Sequence, residues 1–209
     1  TLKSVTKSQK VTVTFKKSNT TKNWNNPFTD VSATDSYYSA VKFVYENNLF
    51  KGTTTTKFGP DTTMTRAMFV TVLGRLAGVD VSRFKTSSYS DVPINATTTW
   101  YAPYVEWATQ MGLVEGYGDG KFGPDNKITH QQMYVLMYKY SIFVENKKTN
   151  ISGTSINASD AEEVADWAKD AVKYASQQNF LVKVGTSSRI NPTGEAKRSE
   201  LAQLLEKYC

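Results

Sequence analysis

The pentapeptide Lys-Phe-Gly-Pro-Asp occurs at residues 57–61 and again, unchanged, at 121–125. That recurrence constrains the fold more than any other feature, because a chain that repeats itself must build its core from copies of one unit. The same spacing aligns Leu49 with Leu113, Gly52 with Gly116 and Thr65 with Thr129, and upstream Asp30-Val31 matches Asp91-Val92. A third, more diverged copy places Ile190, Pro192, Arg198 and Leu201 on Phe122, Pro124, His130 and Met133. The expected units are 27–88, 89–150 and 151–209, with 1–26 as a linker or the end of an upstream domain.

Each unit closes on an amphipathic helix. Phe69, Val72, Leu73 and Leu76 follow the capping residue Thr65 at helical spacing; Met133, Leu136, Met137 and Tyr140 repeat the stripe, as do Leu201, Leu204, Leu205 and Tyr208. A shorter helix opens each unit, carrying Val41, Val44 and Tyr45, then Trp100, Tyr104, Val105 and Ala108, then Val164, Trp167, Ala171 and Val172. A helix-loop-helix unit of this size cannot bury both stripes by itself. The expected fold is therefore mainly α, three helix-loop-helix repeats sharing one core about a pseudo-threefold axis.

The formal charge of +6 raises the question of a nucleic-acid or membrane partner. Lys3, Lys7, Lys10, Lys16, Lys17 and Lys22 lie within residues 1–26, which hold no acid; setting those six aside from 25 leaves 19 basic residues against 19 acidic ones. A neutral body with a basic leader argues against nucleic-acid binding. Within the leader, alternating Val11, Val13 and Phe15 read as the last strand of a preceding domain. No run is long enough for membrane insertion, and residues 1–26 lack the apolar stretch of a signal peptide. The single cysteine, Cys209, permits neither an intramolecular disulfide nor a cysteine metal cluster.

Catalysis finds little support. One histidine, His130, excludes an HExxH zinc site and leaves little for a His-based triad; Glu162, Glu163 and Asp166 read as a solvated face; no cofactor is implied. Gly116-Tyr117-Gly118-Asp119-Gly120 matches neither a P-loop nor an EF-hand and reads as a turn whose amides could face a ligand. More informative is the residue after the helix cap, Arg66 in unit one and Arg198 in unit three. A cation in a first turn opposes the helix dipole, so an anion docking on the guanidinium and the free amides there would account for it. The alternative is an arginine reaching a neighbouring carboxylate or lying in solvent. A second candidate set is aromatic: Tyr37 and Tyr38, Trp100 and Tyr101, and Trp167 stand where flat faces could stack on a sugar ring, whereas Trp107 and Tyr174 fit burial better.

Phe28-Thr29-Asp30-Val31, Leu49 to Gly52, Phe58-Gly59-Pro60-Asp61 and Met64-Thr65-Arg66-Ala67-Met68 together resemble an S-layer homology repeat with its Thr-Arg-Ala-Glu motif. The resemblance implies a three-pronged helical spindle around a central bundle, an extracellular place in the bacterial cell wall, a monomeric module, and inter-repeat grooves for a wall polysaccharide whose terminal N-acetylmannosamine bears a pyruvate ketal. It nominates Arg66, Arg198, Thr65, Lys197, Trp100, Tyr101, Trp167, Tyr37, Gly52 and Gly116 as ligand-binding, with His130 as a weak member because it replaces the motif arginine. Met68 and Gln132 stand in place of the motif glutamate kept as Glu200, Lys197 in place of the capping threonine, Ser36 in place of the first-helix tryptophan, and Asn48 and Asn179 in place of Gly112. The three grooves are thus expected to differ. The rival reading is a protein-interaction module that assembles a surface layer without glycan; a further one is the fused part of a wall-modifying enzyme.

Overall fold

The computed structural model describes residues 24–94, 99–185 and 187–209; the lysines of the leader, Val11, Val13 and Phe15 lie outside them. Among the described residues six α-helices form: α1 (Tyr38–Glu46), α2 (Arg66–Leu76), α3 (Ala102–Gln110), α4 (His130–Phe143), α5 (Lys169–Gln177) and α6 (Arg198–Tyr208). The second helix of every unit starts where its cap is read. Thr65 accepts from the Met68 amide, Thr129 and Gln132 form a reciprocal capping box, and Lys197, whose ammonium cannot accept, keeps half of that box by donating its amide to Glu200 at 2.7 Å. Beyond the first helices, Asn48, Gly112 and Asn179 adopt left-handed φ values of 57°, 70° and 60°, so asparagine does the work of the glycine it replaces. The first helices start later than the sequence suggests. Trp100 precedes α3, Val164 and Trp167 precede α5, and both tryptophans face solvent.

A cycle of three backbone hydrogen bonds closes around the axis. The Met64 amide donates to the Ala196 carbonyl (2.8 Å), Ala196 to Ile128 (2.9 Å) and Ile128 back to Met64 (3.1 Å). Such a cycle requires equivalent residues from the three units to meet at one point, which is the pseudo-threefold arrangement. The side chains of Met64, Ile128 and Ala196 are fully buried there. Among the described residues these contacts amount to isolated bridges, with no extended strand.

The helices pair across unit boundaries. α2 packs on α3, α4 on α5, and α6 returns to α1, closing the array on itself. Gly74 marks one crossing, since a Cβ there would sit 2.3 Å from the Tyr104 ring. The expectation of three interdependent α-helical repeats holds, with one refinement. Each prong joins the last helix of one repeat to the first helix of another, so no repeat can fold its stripes alone. All of this is one continuous apolar core, from Phe28 to Leu205.

Candidate ligand-binding clefts

Three equivalent loops form the floor of the inter-repeat boundaries, and each is bent around an aspartate carboxylate, half-buried at Asp30 and Asp91 and buried at Asp160. Asp30 accepts the amides of Phe58 (2.8 Å) and Gly59 (2.9 Å); Asp91 accepts those of Phe122 and Gly123 (2.8 Å each); Asp160 accepts those of Ile190 (3.0 Å) and Asn191 (2.7 Å). Gly59 and Gly123 carry φ values of 72° and 70° and Asn191 one of 47°, which is why the motif demands glycine or asparagine. Burial by itself would raise the Asp30 carboxyl, but the amides of Phe58 and Gly59 outweigh it and hold the group below its usual range.

Each loop then caps a helix from another repeat. The amides of Arg66 and Ala67 donate to the carbonyls of Asn126 and Pro124, those of His130 and Gln131 to Gly194 and Pro192, and those of Arg198 and Ser199 to Thr62 and Pro60. This corrects the premise of free first-turn amides. Those donors are already satisfied by protein, so a ligand meets the side chains instead.

Arg198 crosses from α6 into repeat 1, where Nε donates to Phe58 O (2.9 Å) and Nη2 to Lys51 O (2.7 Å). Its guanidinium lies 4.8 Å from the centroids of both Phe50 and Phe58. Arg66 does the same in repeat 2, donating to Phe122 O (3.0 Å) and Glu115 O (2.9 Å), with Phe122 at 4.5 Å and Tyr117 at 5.0 Å. Among the described residues neither arginine forms an ion pair, and neither Nη1 has a protein acceptor. Both the carboxylate partner and the idle solvent position considered from sequence are therefore replaced by a third arrangement, a cation clamped on carbonyls. The two differ in exposure. Arg198 is only 6% exposed, and burial first, then the neighbouring Arg75, lowers it to about 10; it stays cationic at neutral pH. Arg66 is half-buried.

Gly52 and Gly116 directly follow the carbonyls of Lys51 and Glu115. A Cβ on Gly52 would meet Thr54 O at 2.2 Å, and one on Gly116 would meet Lys121 O at 2.6 Å, so both glycines are needed to bring the loop under its arginine. The loop is gripped from behind as well, by Arg75 on Leu49 O, Lys139 on Gly112 O and Lys207 on Leu181 O.

The third boundary departs from this plan. His130 is 1% exposed, and its Nδ1 meets Asn191 O while Nε2 meets Glu200 Oε2, each at 2.9 Å. Both neighbours are oxygen atoms, so the ring is held on two sides. Burial would raise the Glu200 carboxyl, yet His130, the Lys197 amide and the Lys197 charge together hold it down. His130, nominated from the sequence as a weak ligand-binding residue, is an internal ring with both nitrogens already paired. Tyr134, one turn along α4, takes the place an arginine would fill. Its hydroxyl accepts from the Val182 amide (3.0 Å) and donates to Val182 O (3.4 Å), and its side chain is fully buried.

The other nominated residues are dispersed. Trp100 is 50% exposed and stacks edge-on with Tyr101, Trp167 is 59% exposed, and among the described residues neither tryptophan stacks on Arg66 or Arg198. Tyr37 and Tyr101 are half-buried; burial first and then nearby aspartates, Asp35, Asp61 and Asp30 for one and Asp125 and Asp91 for the other, raise their phenols. Lys197 pairs with Asp61 at 2.8 Å. Trp107 and Tyr174 are buried, and Glu163 and Asp166 pair with Arg189 and Lys169 on the surface. Sequence reasoning missed Tyr117, Phe50 and Tyr134. Only Tyr134 left a trace, as a large phenol where the other two helices carry Val70 and Ala202.

The family model described as S-layer homology domain matches residues 27–68, 88–133 and 159–202. An endoglucanase of Bacillus sp. (strain KSM-635) is 27% identical over 86% of this chain and 18% of its own length. Exoglucanase XynX of Acetivibrio thermocellus is 30% identical over 79% of the chain and 14% of its own. S-layer protein sap of Bacillus anthracis is 25% identical over 86% of the chain and 21% of its own. The chain thus spans about a fifth or less of the length of these relatives.

Proposed function

The chain belongs to the S-layer homology family and is essentially a module of that kind, and from this premise we propose that it anchors a larger secreted protein at the bacterial surface by holding an anionic wall polysaccharide at Arg66 and Arg198. One observation carries the reading. Two guanidinium groups are fixed by backbone carbonyls and aromatic faces, with no carboxylate in ion-pair contact and with Nη1 left over among the described residues. Carbonyls orient a cation without cancelling its charge, so a carboxylate on the ligand gains both a charge-assisted hydrogen bond and the field of a partly desolvated cation. A pyruvate ketal on a terminal N-acetylmannosamine supplies such a carboxylate, and the exposed faces of Tyr117, Trp100 and Trp167 suit sugar rings.

Arg66, the more accessible cation, is the principal contact, and Arg198 the secondary one. The His130 boundary takes no ligand. Purified, protein-free wall polysaccharide should bind the chain, and removing its pyruvate should weaken binding by about tenfold to a hundredfold, the worth of one charge-assisted contact. Equal binding of native and pyruvate-stripped polymer would remove the anion from this account.

A further inference from the structure

Both motif arginines lie between two aromatic rings, but only one ring of each pair is equivalent. Phe58 lies against Arg198 and Phe122 against Arg66, in the same place in their repeats. The second ring over Arg198 is Phe50, which is buried. Repeat 2 has Val114 at that place, and the second ring over Arg66 comes instead from Tyr117, three residues further along and 58% exposed. Repeat 1 carries Thr53, and repeat 3 Val184, where repeat 2 carries Tyr117.

Tyr117 is held in place without being buried. Its amide donates to Lys121 O (2.9 Å), its hydroxyl accepts from Asn126 Nδ2 (3.0 Å), and Gly123 lies so close that a Cβ would fall 2.7 Å from the ring. An aromatic ring that exposed gains little from burial, and its hydroxyl, already an acceptor, keeps its own hydrogen to donate. We infer that Tyr117 sets sugar selectivity at the Arg66 cleft, a reading that rests on the proposed anionic-glycan function. A ligand carboxylate on the remaining edge of the guanidinium brings its sugar against the rim of this ring, where the hydroxyl donates to a sugar oxygen. The Arg198 cleft, walled by Phe50, reads charge alone.

The test uses the whole chain and two probes, a pyruvate-ketal derivative of N-acetylmannosamine and free pyruvate, titrated by calorimetry. In the parent the ketal sugar should bind more tightly than pyruvate. Tyr117→Ala should weaken the sugar about tenfold at one class of site and pyruvate much less, lowering the sugar-to-pyruvate ratio, and Tyr117→Phe should lose about threefold through the hydroxyl. Thermal midpoints should stay near the parent's because the side chain is exposed; if Tyr117→Ala melts early, Tyr117→Phe, which keeps the ring, still decides the matter. A sugar-to-pyruvate ratio unchanged in both variants, with the parent binding normally, overturns the role of Tyr117 alone. A parent that binds neither probe overturns the glycan reading, and this inference with it.

Discussion

The boundary between repeats 1 and 2 and the boundary between repeats 2 and 3 solve one structural problem with different side chains. In both, a helix starts on the loop of the following repeat, and a carbonyl of that loop needs a donor from the helix. Arg66 reaches Glu115 O and leaves a cationic edge at the cleft. His130 is too short for the corresponding Val182 O, which Tyr134 satisfies from one turn away, while the imidazole turns inward to Glu200. The lesson is that the motif arginine has two jobs, tying repeats together and presenting charge. The second boundary keeps the first job and gives up the second. It is consistent that Glu200 alone retains the motif acid, opposite the one motif position where arginine has become histidine.

The comparison is open to attack from the structural side first. Tyr134→Ala should cost about 3–5 kcal/mol, the range for emptying a buried aromatic site, and should lower the thermal midpoint sharply while the Arg66 cleft keeps its ligand affinity. Loss of glycan binding at temperatures where the variant remains folded would show that the closed boundary contributes to the site. His130→Ala leaves the Glu200 carboxylate with only the Lys197 amide and charge and should cost about 1–3 kcal/mol, whereas removing both partners should cost less than the two separate losses together. Additive losses in that cycle would mean that the pair is not coupled.

Arg66→Ala should lower glycan affinity about tenfold to a hundredfold and also destabilise the chain, because two inter-repeat hydrogen bonds go with the charge. Arg66→Lys keeps the charge without the fork, and should recover only part of both. His130→Arg should add no binding site, since Tyr134 already occupies Val182 and Glu200 would take the new cation; an extra site in calorimetry would contradict the closed boundary.

The smallest effect is the pH dependence. Asp30 and Glu200 titrate below their usual values in the folded chain, so their contribution is fully present above the unfolded carboxyl range near pH 4 and is lost as pH falls through the lower folded values. Thermal midpoints should therefore decline as pH falls below about 4, less steeply in Glu200→Gln, which no longer carries that titrating group. An identical decline in the variant would show that Glu200 does not contribute to the acid sensitivity.

Much of the fold was legible because it is periodic. The recurrence of Lys-Phe-Gly-Pro-Asp and the helix caps at Thr65 and Thr129 locate the second helices, and three copies imply the axis that Met64, Ile128 and Ala196 close. Which helix packs on which was not legible, since apolar stripes on α1 and α2 look alike whether they meet within a repeat or across a boundary. At the clefts, the first-turn arginines stood out as an anomaly of charge, but what holds them was not legible. Their acceptors are the backbone oxygens of Phe58, Lys51, Phe122 and Glu115, and a carbonyl leaves no mark in side-chain identity. Tyr117 was passed over because its stretch was read for glycines and turn amides, whereas its ring acts on an arginine 51 positions earlier.

Nuclear magnetic resonance mapping of the chain with the pyruvate-ketal derivative of N-acetylmannosamine compares the open and the closed boundary in one experiment. The account predicts shifts at Arg66 Nε and in the amides from Glu115 to Lys121, with Val182, Asn191 and the His130 ring unmoved. Shifts centred on His130 and Val182, with Arg66 silent, would contradict it.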